Sequence, residues 1–170
     1  AAEKLLATRK IAAVILEPIL QNVGIVKPKP GFLKGLRARC DTYGTVLGLD
    51  RVKTGVRSAL GGYASIAGVK PDRAAYGKAC ANGYPLAIVG GKREFMQYCN
   101  HADPKKRAVI AGTYSAHPFT VAAALATLKK LRGREKEIYG KLEALGARME
   151  KGLTDIFRTR NYPTTVVRQG

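Results

Sequence analysis

Lys78 stands where a short run, Arg73-Ala74-Ala75-Tyr76, gives way to Gly77-Lys78-Ala79-Cys80-Ala81-Asn82-Gly83-Tyr84-Pro85. The run reads as a strand and the stretch after it as a Gly/Asn/Pro-rich loop. Lysines normally sit among polar neighbours on solvated faces. An amine held against small and apolar groups loses hydration of its charged form, and its pKa falls from the ordinary value of about 10.4. Such an amine attacks carbonyl carbon and forms an imine; on the local sequence alone Lys78 reads more readily as a surface lysine at a strand end. Two earlier strands also end in chemistry. Thr45-Val46-Leu47-Gly48-Leu49 closes on Asp50, and Ile11-Ala12-Ala13-Val14-Ile15-Leu16 closes on Glu17. In an open α/β sheet, ligands bind at the carboxyl ends of the strands. Glu17, Asp50 and Lys78 are therefore candidates for one site.

The segments Leu16-Glu17-Pro18, Gln21-Asn22-Val23-Gly24, Asp50-Arg51-Val52-Lys53-Thr54-Gly55-Val56-Arg57, Gly77-Lys78-Ala79, Asn82-Gly83-Tyr84-Pro85 and Gly112-Thr113-Tyr114-Ser115 occur in a characteristic order. In order and spacing they resemble the class III aminotransferases, pyridoxal 5'-phosphate (PLP) enzymes of fold type I. The glutamate-1-semialdehyde aminomutase-like branch is similar in pattern. The resemblance runs over nearly the whole chain. It implies PLP-dependent amino-group transfer, by an aminotransferase or an aminomutase, on an amino-acid or amino-ketone substrate.

The resemblance also implies roles. Lys78 holds the cofactor aldehyde and shuttles a proton at the substrate α-carbon. Asp50 pairs with the pyridine nitrogen; on local sequence alone it reads equally as a strand-terminal aspartate capping a turn. Val52 packs on one ring face, a role compatible with plain core. Asn22 lies near the phenolic oxygen, although a loop asparagine is also an ordinary turn former. Glu17 orients its neighbours rather than reacting. Thr113 reaches the cofactor phosphate across a homodimer interface; taken alone, it is a β-branched residue ending a strand. Arg51 departs from the glutamate usual after the aspartate, and is expected to put a positive charge beside Asp50. Ala116-His117 and Cys80-Ala81 depart from the pattern as well.

The elements that would position these residues follow from periodicity. Residues 1–10 read as the end of a helix. Residues 11–16 and 45–49 are continuous apolar runs, as expected of strands buried on both faces. Phe32, Leu33, Leu36 and Cys40 recur at helical spacing, and Gly44 suits the left-handed cap after them. A short helix is expected near residues 63–67, and a strand over 72–76. A fourth strand, 86–90, follows too closely for a crossover helix, so it should run antiparallel to the third. Residues 92–99 read as helical and 109–115 as extended. Two further helices are expected over 118–131, with Pro118 at the start, and 135–157.

The fold class is thus α/β: a partial fold type I large domain, a mostly parallel sheet flanked by helices. By resemblance, residues 1–132 belong to the PLP-binding large domain. Residues 133–170 form the long helix leading to a small domain outside the chain. The N-terminal phosphate-binding loop would also lie outside, and open sheet edges favour association with another chain.

The 170 residues suffice for one core. No apolar run could span a membrane, and nothing at Ala1 resembles a cleavable signal. The three cysteines lack metal-ligand spacing, and their odd number argues against a closed disulfide set, so a cytoplasmic setting is the default. His101 and His117 have no partner spacing for metal or triad chemistry. The net charge of +18 is the anomaly. It keeps open an alternative: a non-catalytic basic module that binds nucleic acid or another polyanion. The basic residues are spread along the chain, however, without a compact tract interleaved with aromatics.

Overall fold

A computed structural model describes residues 1–170. Four strands form one sheet in the order β1 (Ala13–Leu16), β2 (Val46–Asp50), β3 (Arg73–Tyr76) and β4 (Ile88–Gly91). β1, β2 and β3 are parallel neighbours, and β4 pairs antiparallel with β3. The short β3–β4 connection enforces that reversal, as expected from its length.

α1 (Ala2–Leu6) precedes the sheet, and α2 (Phe32–Tyr43) makes the crossover from β1 to β2. Gly44 ends α2 with φ 70°, the left-handed cap that glycine adopts without a Cβ penalty. α3 (Gly62–Ile66) lies between β2 and β3. The core sits between these helices and one sheet face: Leu33, Leu36 and Cys40 of α2 meet Leu47 and Leu49 of β2, with Leu6, Ala64 and Val69 closing it. Asp72 anchors the same side. It accepts hydrogen bonds from the Leu47 N–H (2.7 Å) and Arg37 (2.8 Å) and pairs with Lys92 (2.7 Å). Burial pushes its carboxyl pKa up, but Lys92, the Leu47 N–H and Arg37 together outweigh burial and bring it down to about 2.

Beyond β4 come α4 (Arg93–Met96), two short 3-10 turns, α5 (Pro118–Gly133) with proline in its first turn, and α6 (Glu135–Thr159). The helix expected over 92–99 is thus divided between α4 and a 3-10 turn over Gln97–Asn100. Residues 109–115 make no strand; 107–112 lack regular structure and 113–116 turn. No strand edge lies beside them to complete a ladder, and Val109 is 92% exposed. α6 is tied back to the loop after β2: the Tyr139 hydroxyl donates to the Val56 carbonyl at 2.9 Å. No helix is long and apolar enough to cross a membrane.

Candidate active site

Parallel pairing puts the carboxyl ends of β2 and β3 side by side, with Asp50 opposite Ala75. The Arg51 N–H extends the ladder by donating to the Ala75 carbonyl at 2.9 Å. Lys78 then opens a 3-10 turn, Lys78–Ala81. Its φ is 48°, a left-handed conformation uncommon for a lysine. α5 packs on this turn, and Cys80, Ala81, Thr120 and Ala124 are all buried. Burial pushes the Cys80 thiol pKa up, so Cys80 is inert packing rather than a nucleophile.

Lys78 lines a cleft of about 710 Å³ with Val52, Arg57, Asn82, Tyr84 and Leu86. The side chain is exposed, as for a surface lysine at a strand end, and is not enclosed by its small neighbours. Its sequence neighbours Gly77, Ala79, Cys80 and Ala81 are small, and small side chains cannot roof a long amine. Gly77 brings Lys78 against Val52: a Cβ at position 77 would stand 3.2 Å from Val52 Cγ1.

Asp50 is half-buried, and its Oδ1 accepts the Val52 N–H at 3.0 Å. It therefore does cap the turn, while no hydrogen bond engages Oδ2. Asn22 is brought to the same loop, where its side-chain oxygen accepts from Lys53 Nζ. Glu17 stays within its own loop, Oε2 accepting the Gln21 N–H at 3.3 Å. Thr113 lies in an exposed turn outside the Lys78 cleft. Within one chain Lys78 and Val52 thus line one cleft, Asp50 ends the strand beside β3, Asn22 bonds the loop that follows Asp50, and Glu17 and Thr113 stand apart.

Arg51 corrects an expectation. Successive residues of a strand point to opposite faces, and Arg51 turns away from Asp50. Its Nη1 donates to the Tyr76 hydroxyl at 2.7 Å and its Nη2 to the Gly61 carbonyl. Its guanidinium lies 4.7 Å from the centroid of the Tyr76 ring, and no ion pair with Asp50 forms. Two lining residues, Arg57 and Tyr84, went unassigned in the sequence reading. Both belong to segments quoted there, but a loop residue's direction cannot be read from periodicity.

A parallel sheet with one antiparallel edge strand, carrying an aspartate and a lysine at adjacent strand ends, defines part of a fold type I large domain of the PLP-dependent transferases. The chain belongs to the class-III aminotransferase family, whose profile matches residues 2–170. It is 43% identical over 160 residues to glutamate-1-semialdehyde 2,1-aminomutase 2 of Brevibacillus brevis, covering 94% of this chain and 36% of that protein. It is 46% identical over 129 residues to the glutamate-1-semialdehyde 2,1-aminomutase of Ignicoccus hospitalis, covering 75% of this chain and 30% of that protein. Among solved structures, an omega-transaminase from Sphaerobacter thermophilus superposes with a TM-score of 0.85 at 34% identity, covering 99% of this chain and 38% of that one. A Pseudomonas aeruginosa glutamate-1-semialdehyde aminomutase in complex with PMP gives a TM-score of 0.81 at 29% identity, covering 98% and 38%. The chain thus spans 30–38% of the length of these relatives.

Proposed function

We propose that this chain supplies the lysine-and-aspartate half of a PLP-dependent amino-group transfer site, that of an aminotransferase or aminomutase. One observation carries the reading. β2–β3 register sets Asp50 beside the strand end that leads to Lys78, and Val52 lies between them against Gly77. These residues fit the cofactor's needs: an amine for its aldehyde, a carboxylate oxygen without a partner for its ring nitrogen, and an apolar side chain for a ring face. The relatives named for PMP binding and for transaminase or aminomutase activity support it.

When bound, the cofactor supplies a protonated ring that withdraws electrons from the substrate's α-carbon. Lys78 Nζ would hold the aldehyde carbon and, once the incoming substrate amine replaces it there and frees it, would move the proton at that α-carbon. Asp50 would keep the ring nitrogen protonated through the carboxylate oxygen that the turn leaves free, while its Oδ1 holds the turn. Val52 packs on the ring. Asn22, oriented by Lys53, would serve the phenolic oxygen, and Glu17 would shape the adjacent loop. Arg57 adds a positive charge to the cleft, suited to an anionic group of cofactor or substrate.

Thr113 is assigned to the site of a second copy in a homodimer. Its exposed neighbours Val109, Ile110 and Tyr114 support a protein partner over solvent at that surface. Residues 1–132 carry the site, and 133–170 lead toward a small domain that selects an amino-acid or amino-ketone substrate. A cytoplasmic location accords with this chemistry. The polyanion-binding alternative gains no support from the relatives, which are named as aminomutases and transaminases.

The test is addition of PLP, borohydride reduction and peptide mass spectrometry. Label concentrated on Lys78 is the expected result. Label scattered over surface lysines, with Lys78 no richer than the rest, would refute the reading.

A further inference from the structure

We propose that Arg51 is a positioning residue that clamps the strand end carrying Asp50 to the strand end leading to Lys78. Its relevance to catalysis rests on the function proposed above; the clamp itself does not.

Arg51 directly follows Asp50, and Tyr76 is the last residue of β3 before Gly77 and Lys78. Three contacts bind the two ends, and a fourth ties Arg51 to the start of α3. The Arg51 N–H donates to the Ala75 carbonyl at 2.9 Å. Nη1 donates to the Tyr76 hydroxyl at 2.7 Å, and the guanidinium covers the Tyr76 ring at 4.7 Å. Nη2 donates to the Gly61 carbonyl, just before α3. The Arg51 carbonyl in turn accepts the Gly55 N–H at 2.7 Å, and a Cβ at Gly55 would lie 2.8 Å from Tyr76 Cδ1. Tyr76 is therefore held between the guanidinium and the turn that follows Asp50.

The chemistry requires arginine. Carbonyl oxygen accepts and cannot donate, so the Gly61 contact needs an N–H donor, and a second donor must reach the Tyr76 hydroxyl at a fixed angle. The planar guanidinium fork does both; a lysine ammonium offers a point charge on a flexible stem. Arg51 is 7% exposed, so water does not replace these bonds cheaply. The side chain lies on the opposite sheet face from Asp50. It therefore acts through the backbone spacing of the two strand ends and touches no reacting atom.

The test has two readouts on the wild-type chain, Arg51→Met, Arg51→Lys and Tyr76→Phe. The first is amide hydrogen exchange and needs no cofactor. Loss of about one net hydrogen bond corresponds to roughly tenfold in local opening. Exchange at Arg51 (or its Met replacement) and Cys80 should rise about tenfold in Arg51→Met, with Val46, bonded to Ala12 in the β1–β2 pair, unchanged. Arg51→Lys and Tyr76→Phe should fall between, and Tyr76→Phe should add nothing on top of Arg51→Met. The second readout is borohydride-trapped PLP on Lys78, which should fall about tenfold in Arg51→Met under conditions where the variant is fully folded.

Exchange in Arg51→Met and Tyr76→Phe equal to wild type, or rising equally at Val46, would overturn the clamp. If the wild type takes no label on Lys78 while local exchange rises as stated, the clamp stands and the functional reading falls. Should Arg51→Met not fold, Tyr76→Phe decides alone.

Discussion

Gly77 meets Val52 across two adjacent strand ends, leaving a Cβ on Gly77 only 3.2 Å from Val52 Cγ1 and 3.4 Å from the Leu86 carbonyl oxygen. The φ of Gly77 is −169°, extended backbone that any residue adopts. Space, not conformation, demands glycine here. Gly77→Ala must displace Val52 or the Lys78 turn, at a cost of about 1 kcal/mol. Expected results are that loss in urea unfolding and a severalfold drop in borohydride-trapped PLP on Lys78. Gly90→Ala is the control, since a Cβ there meets nothing within 4 Å.

The backbone at Lys78 carries strain that its chemistry would justify. With φ at 48°, Lys78 forgoes roughly 1 kcal/mol relative to glycine in the left-handed region. Lys78→Ala keeps the strain and loses the amine; Lys78→Gly loses both. Glycine should therefore be the more stable of the two variants by about 1 kcal/mol, measured by urea midpoint, with neither trapping PLP at this position. Equal stability would place the strain elsewhere.

Much of this arrangement was legible before any coordinates. β1 and β2 were legible as strands from their apolar runs, but the expectation of burial on both faces fails. β2 alternates buried and half-buried residues and Ile15 of β1 is 75% exposed, because helices cover one face only. The short loop before β4 fixed its direction. Asp50 and Lys78 followed from being strand-terminal residues. Three features were not legible. The turn over 113–116 depends on pairing partners, and β-branched Val109 and Ile110 have no strand to pair with in this chain. Lys78 is open because cleft walls are contributed by loops with no period. Arg51 was misread through its neighbour in sequence, although strand alternation already sends residues 50 and 51 to opposite faces.

Asp72 predicts an acid limb for folding. In the folded chain its carboxyl sits at about 2, against 3.8 when unfolded. The folded pKa is the lower, so the stabilisation is complete above about pH 4 and is lost as pH falls through about 2. The difference is on the order of 2 kcal/mol. Urea midpoints between pH 7 and pH 2 should show this loss. Asp72→Asn should flatten the acid limb and lower neutral stability by about 2 kcal/mol, because Arg37 and Lys92 lose their shared partner. An unchanged acid limb in Asp72→Asn would remove Asp72 as its source.

Asp50 holds the turn through one oxygen and, in the proposed function, the cofactor ring through the other. Asparagine separates the two. Its side-chain oxygen still accepts the Val52 N–H now bonded at 3.0 Å, so Asp50→Asn should lose less than about 0.5 kcal/mol of stability. Asp50→Ala removes the acceptor as well and should lose about 1 kcal/mol. A hydrogen bond to a charged group contributes about 1.5–3 kcal/mol, so both variants should bind PLP roughly 10- to 100-fold more weakly in absorbance titrations. Stability then ranks asparagine above alanine while cofactor affinity does not distinguish them. If Asp50→Asn binds PLP as tightly as the wild type, the carboxylate is a turn cap only, and the charge opposite the ring nitrogen must be sought elsewhere.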